Sequence, residues 1–572
     1  MAERRTALYR LGPVLAVALL AGPLLCGLAG TVLPAFGYLP ALGGRTLSLD
    51  PFRQLLAEPG LARGAVLALT TGLAATALSV AVIFLFVAGW AGTRLFSRIV
   101  HLVSPLLAVP HAAAAFGLVF LAAPSGFIAR LISPELTGWE RPPDLLIVND
   151  PAGLAMSAGL AAKEIPFLML IALAALPQIE VTRTLAIAAS AGYGRMAGFL
   201  LALWPRLYRQ IRLAVFAVLA FGTSVVDVGV ILGPTAPPPL AVQVTRLMQD
   251  PDLSMRFTAS AGALLQLAVT GLALLAWLGL EHVGAMLRRQ MGDRGRRFRR
   301  DAPLRLAGLG AIALTALVTF AGLGLLALWS VAGQWPFPDA LPASLSLDSW
   351  ASAASRIGQP LWSSLSVGLA ATATALAVTV LCLANETETG RRTGTGAALL
   401  IYLPLIVPQA GFLFGLQLLF LVAGLGNGWP ALVLSHLVFV LPYVFLSLAD
   451  PWRALDRRYE AVAAGLGKGR LAALTRVRLP MLTGALATAA AVGFAVSVGL
   501  YLPTLLVAAG RIETVTTEAV ALAAGGNRRV IGVYAFLQLA LPAAGFAIAT
   551  AVPALLFRQR RALRGGASSQ GR

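Results

Sequence analysis

The chain has 572 residues, 58% of them hydrophobic and 12% charged, where a soluble domain carries about 25% charged residues. That composition excludes an ordinary water-soluble globular protein. The net charge of +20 could suit nucleic acid, but the basic residues sit in short segments between apolar runs. This is the pattern of basic loops on one face of a membrane protein, so membrane lipid and not nucleic acid is the expected neighbour of the charge.

In chain order, Arg4, Arg5 and Arg10 precede an apolar run at about 11–33. It is longer than the core of a cleavable signal peptide and reads as an uncleaved first membrane helix. Eleven more runs follow, at about 64–90, 99–122, 154–176, 211–233, 258–280, 306–330, 361–384, 398–424, 431–449, 482–508 and 531–556. Each can cross a hydrocarbon core about 30 Å thick as a helix that satisfies its own backbone. The expected fold is an all-α integral membrane protein of twelve transmembrane helices. With the N-terminus inside, segments 1–10, 91–98, 177–212, 281–305, 385–397, 450–481 and 557–572 face the cytoplasm and hold 32 of the 44 lysines and arginines. This bias predicts cytoplasmic termini. Cys26 and Cys382 both lie in apolar runs and have no metal-ligand spacing, so no metal site is expected.

The chain divides into a first half at 1–280, a basic cytoplasmic linker at 281–305, a second half at 306–556 and a tail at 557–572. The linker's "LRRQMGDRGRRFRRDAPLR", at 287–305, contains eight arginines and suits anionic headgroups. The halves repeat. "VPHAAAAFGL" at 109–118 matches "VPQAGFLFGL" at 407–416. "AASAGYGRMAGFLLALWPRL" at 188–207 matches "AAGLGKGRLAALTRVRLPML" at 463–482, at an offset of 275. This second match pairs Gly192 with Gly467, Gly194 with Gly469, Arg195 with Arg470 and Pro205 with Pro480. Six spans in each half put both copies on one face, with the halves related by a pseudo-twofold axis along the membrane normal.

The Gly-Lys-Gly at 467–469 is not a phosphate loop. That motif requires G-x-x-x-x-G-K-[ST], whereas Val462 stands five before Gly467 and Gly469 follows Lys468. No other copy occurs, so no cofactor is expected in this chain. What the two segments share is a glycine followed thirteen residues later by a proline. The glycine allows a turn and a close approach, and the proline is expected to restart a helix at its first turn.

This spacing resembles the EAA loop of importer-type ABC permeases, E-A-A-x-x-x-G, nine residues, then I-x-L-P. In the second half it falls on Ala461-Val462-Ala463, Gly467 and Val477-x-Leu479-Pro480. In the first it falls on Ala186-Ile187-Ala188, Gly192 and Ala202-x-Trp204-Pro205. The glutamate is replaced by Ala186 and Ala461, with Glu460 one residue early. A double-length permease of this kind resembles the iron(III)- and thiamine-type importers, and their thiamine-like, Ynj-type relatives above all. "PAFGYLPALGG" at 34–44 and "LSLDPFRQLLAEPGL" at 47–61 fit that likeness. The resemblance implies two six-helix type I (MetI-like) halves. It implies a separate ATPase subunit, in two copies, that binds ATP and Mg²⁺ and takes a coupling helix from each loop. It also implies a periplasmic substrate-binding protein and location in the bacterial cytoplasmic membrane.

Ionisable groups inside spans are costly and mark pathways or packed contacts. Asp227 lies in span five. The match of "FGTSVVDVGVILGP" with "FAVSVGLYLPTLL" sets Ser497 opposite Ser224 and Leu500 opposite Asp227, so one half alone offers an acid, an asymmetric pathway suited to a cationic substrate. Lys163 and Glu164 are neighbours in span four and are expected to meet different partners, because adjacent helical residues do not face each other. His111, Gln409 and His436 add polarity and are expected to make packed structural contacts. Gly117 and Gly415 are expected to allow close helix packing. The candidate cargoes are a thiamine-like compound, ferric iron or a polyamine. A twelve-span secondary transporter is the alternative, but it has no need of the duplicated loop. A membrane-embedded enzyme would need clustered catalytic groups, which four scattered histidines do not supply.

Overall fold

The computed structural model describes residues 2–557 apart from 391–393, 524 and 526. Most of the tail expected at 557–572 therefore lies outside the described residues. Those described are helical, with two isolated bridges, Leu39 to Gly44 and Ala332 to Leu345, as the only β pairing. Among the described residues, nine helices are long and apolar enough to cross a membrane, and counting each of three bent pairs as one span raises the number to twelve, as the sequence predicts.

In the first half the main elements are α1 (Ala2–Ala35), α2 (Leu61–Trp90), α3 (His111–Ala122), α4 (Leu154–Ala175), α5 (Val181–Ser190), α6 (Trp204–Ser224), α7 (Asp227–Leu232) and α8 (Met255–Asp293). In the second they are α9 (Ala302–Ser330), α10 (Asp348–Thr389), α11 (Ala410–Val422), α12 (Trp429–Ala454), α13 (Arg458–Gly465), α14 (Thr483–Gly499), α15 (Leu502–Ala508) and α16 (Arg528–Leu556). Two boundaries move outward from the predicted ones. Helix α8 continues to Asp293, so only 294–301 of the expected linker is non-helical. Helix α10 starts at Asp348, because Ala353 and Ile357 in its polar first turns are buried.

Four expected spans are broken, in pairs. The third, expected at 99–122, stops at a 3₁₀ turn, Ser104–Ala108, and resumes at α3. The ninth stops at Ile406 and resumes at α11, with a bend of 99°. Each break sits at the repeated Val-Pro. Proline disfavours the helical region for the residue before it, and Val109 (φ −73°, ψ 124°) and Val407 (φ −76°, ψ 125°) take the same extended conformation. The fifth span breaks between α6 and α7, at Val225 (ψ 136°), and the eleventh between α14 and α15, at Leu500 (ψ 113°). These breaks correct the expected pairing. The offset of 275 seen in the loops continues here, so Gly499 stands opposite Ser224 and Leu502 opposite Asp227. The backbone break sets the register, and the serine match that suggested Ser497 and Leu500 is two residues out.

The first helices are exchanged between halves. Helix α1 packs on α11 and α10 of the second half, and α9 packs on α3 and α2 of the first. Small residues let these backbones touch, which is how helices pack tightly in lipid. A Cβ on Gly117 of α3 would lie 3.0 Å from the backbone of Gly322 in α9, and one on Gly30 of α1 would lie 2.8 Å from Gly415 in α11. Gly117 and Gly415 are the repeat partners of the two Phe-Gly-Leu triplets, so the exchange obeys the pseudo-twofold. Of the unbroken spans, the most buried are those containing α4 and α12, the helices that lead into the two loops, while α1 and α16 are the least buried.

Candidate functional site

The two loops have the same backbone, residue for residue. Helices α5 and α13 end two residues before Gly192 and Gly467, which adopt left-handed φ of +81° and +70°. Gly192 N–H donates to Ala189 O at 2.9 Å, and Gly467 N–H to Ala464 O at 2.9 Å. Tyr193 N–H donates to Ala188 O, and Lys468 N–H to Ala463 O, each at 3.0 Å. Gly194 and Gly469 are extended, and a helix restarts at Arg195 and at Arg470. The prolines therefore do not restart the helix, as the sequence suggests, but lie inside it. A five-residue π-turn, Phe199–Leu203 or Leu474–Arg478, precedes each. Proline lacks an N–H and its ring crowds the carbonyl four residues back; the wider turn accommodates both. Such turns are common at functional sites. After the second proline the helix bends by 76° into α14.

Each loop is tied to the second long helix of its half by the repeat-paired arginine. Arg195 donates from Nε to Ala88 O at 3.0 Å and from a terminal nitrogen to Ala91 O, capping the end of α2. Arg470 instead pairs with Glu388 of α10, at 2.8 Å. Ala186, Ala188, Gly194 and Arg195 line a cleft of about 310 Å³ beside α2. In the second half a cleft of about 280 Å³ is lined by Glu386, Trp452, Arg453 and Arg478. Ala463 is buried against its own half while Ala461 is exposed.

Glu460 is held within the chain. Its carboxylate pairs with Arg478 at 2.5 Å. Arg478 is 3% exposed, also donates to Trp452 O at 2.9 Å, and lies with its guanidinium 4.6 Å from the Trp452 ring. At the equivalent first-half positions stand Leu185 and Leu203, both in the main apolar cluster.

The sequence reading passed over one pair of loop residues. Ile187 and Val462, at the same repeat position, are each 63% exposed. They are the middle residues of the two Ala-x-Ala triplets, and a β-branched apolar residue in both copies of a short helix was the available signal.

The candidate pathway residues separate into two sets. Glu164 accepts from or shares a proton with His111 Nε2 at 3.1 Å, and His111 lies 4.5 Å from the Phe221 ring. Asp227 is buried at the start of α7. Half-buried Tyr443 and Tyr501, from the second half, lie within electrostatic reach of Glu164 and Asp227 respectively. These groups come together from both halves. The others are engaged locally. Lys163 donates to Leu106 O at 3.2 Å and Leu107 O at 2.7 Å, closing the 3₁₀ turn of the broken third span. It thus bonds partners different from those of Glu164, as expected. Ser224 donates to Ala220 O at 2.8 Å in its own helix. Ser497 bonds His436 Nδ1 at 2.8 Å, and His436 Nε2 meets Thr504 at 2.9 Å, a packed structural contact between α12, α14 and α15.

No protein-family model matches the chain. Among individual proteins, it is 31% identical over 523 residues to the inner membrane ABC transporter permease protein YnjC of Escherichia coli K12, covering 91% of this chain and 93% of that one. A shorter stretch of 114 residues is 32% identical to the putrescine transport system permease protein PotI of the same organism, covering 18% of this chain and 40% of that one. Another of 98 residues is 26% identical to the spermidine/putrescine transport system permease protein PotC of Haemophilus influenzae, covering 17% and 38%. Twelve apolar spans, a duplicated loop of one backbone geometry and an end-to-end likeness to a permease of similar length lead to one assignment: the chain belongs to the ABC transporter permeases and is a multi-pass membrane transport subunit, not an enzyme.

Proposed function

We propose that this chain supplies both membrane halves of the permease of an ATP-driven importer, with α5 and α13 as its two coupling helices. Both loops and both termini face the cytoplasm, as the charge bias requires, in a bacterial cytoplasmic membrane. One ATPase subunit docks on each loop, and ATP and Mg²⁺ bind there. A periplasmic binding protein delivers the cargo to the opposite face. The observation that carries this reading is the repeated loop geometry with one exposed apolar residue, Ile187 or Val462, at the same point of each copy. An exposed apolar side chain rimmed by polar residues is what a partner's pocket takes up. The test is co-purification from gently solubilised native membranes. An ATPase subunit should accompany the wild type and be lost from a Gly192→Asp/Gly467→Asp double variant; absence of any ATPase from the wild type would reject the reading.

The cargo we read as a small organic cation, such as a polyamine or a thiamine-like compound, ahead of ferric iron. Glu164 and Asp227 supply negative charge where α3, α4 and α7 meet the second half, and Tyr443 and Tyr501 supply aromatic faces that attract organic cations. Relatives named for putrescine and spermidine transport are consistent with that chemistry. Asp227→Asn should cut uptake at least tenfold, about 1.4 kcal/mol, while ATPase association stays intact. Undiminished uptake would remove Asp227 from the pathway.

A further inference from the structure

The linker between the halves is not a free tether. Residues 294–301 lie across the glycine end of the first loop. Gly194 N–H donates to Arg297 O at 2.8 Å, Arg299 Nε donates to Gly192 O at 3.1 Å, and Met196 N–H donates to the buried Asp301 carboxylate at 2.8 Å. The guanidinium groups of Arg299 and Arg297 sit over Gly192, 2.9 and 3.2 Å from where a Cβ would be, and the Phe298 carbonyl closes the face of Gly194. Among the described residues, nothing lies within 4 Å of a Cβ at Gly467 or Gly469 in the second loop.

At the crest of the linker, Phe298 has φ of +35°. A left-handed backbone at a bulky residue is costly and persists only where its surroundings hold it. Here the flanking hydrogen bonds hold it, and they leave the ring 54% exposed. Around it Arg296, Arg297, Arg299 and Arg300 are all exposed. An aromatic ring among arginines is the composition of a binding hot spot. It adjoins the loop that carries Ile187.

We infer that the linker crest, Phe298 with its flanking arginines, is part of the docking surface for the ATPase subunit on the first loop, and meets a carboxylate-bearing patch there. The inference rests on the coupling role proposed above. It makes the two docking sites unequal, since the linker lies on the first loop and not on the second. Anionic lipid is the competing occupant. The hydrogen bonds favour the ATPase, because they fix the crest to the loop that the ATPase must reach.

The test is photo-crosslinking in native membranes holding the whole transporter, with a photoreactive phenylalanine at 187, 462 or 298. All three positions should form adducts with the ATPase subunit. Adducts from 187 and 462, with only lipid adducts or none from 298, would overturn the linker inference and leave the coupling loops standing. No ATPase adduct from 187 or 462 would overturn both. As a second readout, Phe298→Ala with Arg297→Gln should weaken ATPase association about tenfold without lowering the permease's level or melting temperature. Unchanged association would also overturn the inference.

Discussion

The two cytoplasmic loops share every backbone turn and almost none of the chemistry that holds it. In the first, Leu185 and Leu203 fill the space beneath the short helix, and the linker closes its glycine end. In the second, Glu460 and Arg478 take those two positions as an ion pair under Trp452, and Glu388 pairs with Arg470. What both copies need is the conformation: left-handed Gly, extended Gly, helix, π-turn, proline. That conformation presents Ile187 or Val462 outward. A buried ion pair and a pair of leucines of similar reach can serve the same frame, since burying paired charge brings little net stability over apolar packing.

The comparison can be broken most severely by moving one half's chemistry into the other. Leu203→Arg puts an unpaired guanidinium among Leu207, Phe199 and Met196, all buried. It should cost about 4 kcal/mol or more and be read as loss of folded protein after detergent extraction. A melting temperature within a few degrees of wild type would show that the first loop is not the closed apolar site described. Next in size is Arg478→Ala, which leaves Glu460 without its partner and uncovers Trp452. A cost of about 3 kcal/mol is expected, somewhat reduced because Glu460 is 26% exposed on its side chain.

Replacing both partners sharpens the point. Glu460→Leu with Arg478→Leu copies the first half and should fall within about 1 kcal/mol of wild type, far less than Arg478→Ala alone. It should also keep ATPase association. If the double change is as damaging as the single one, the ion pair does more than hold the frame. A similarly small effect is expected at Asp301→Ala, which removes the acceptor for Met196 N–H. A lost helix-start cap of this kind costs about 1 kcal/mol, and amide exchange should rise at 195–197 but not at 470–472. Equal increases in both loops would mean the linker does not act on the first loop alone.

Much of this was legible in the sequence, and what was not has physical reasons. Twelve spans follow from hydropathy and length, and the loops from spacing. The Val-Pro pairs were visible as a repeat, yet the apolar runs continue through them, so hydropathy could not show that both spans break there. The pathway register went astray on one serine, because Ser497 is committed to His436 and the break itself leaves no residue signature. The prolines read as helix starts because a π-turn is invisible in composition. The exchange of α1 and α9 rests on glycine contacts, and small residues announce a close neighbour without saying which one. The linker's hold on the first loop uses backbone groups of Gly192, Gly194 and Met196, which no pattern of side chains reports. Lys163 and Glu164 were rightly flagged as bonding apart, but only the folded chain assigns one to a backbone cap and the other to His111.

The most direct measurement of the central claim is amide hydrogen exchange on the permease alone and in complex with its ATPase. Two loops that share one docking geometry should both slow on complex formation, at 181–192 and at 458–467 together, while the outer segment at 335–347 stays unchanged. Protection confined to one loop, or absent from both, would contradict the account.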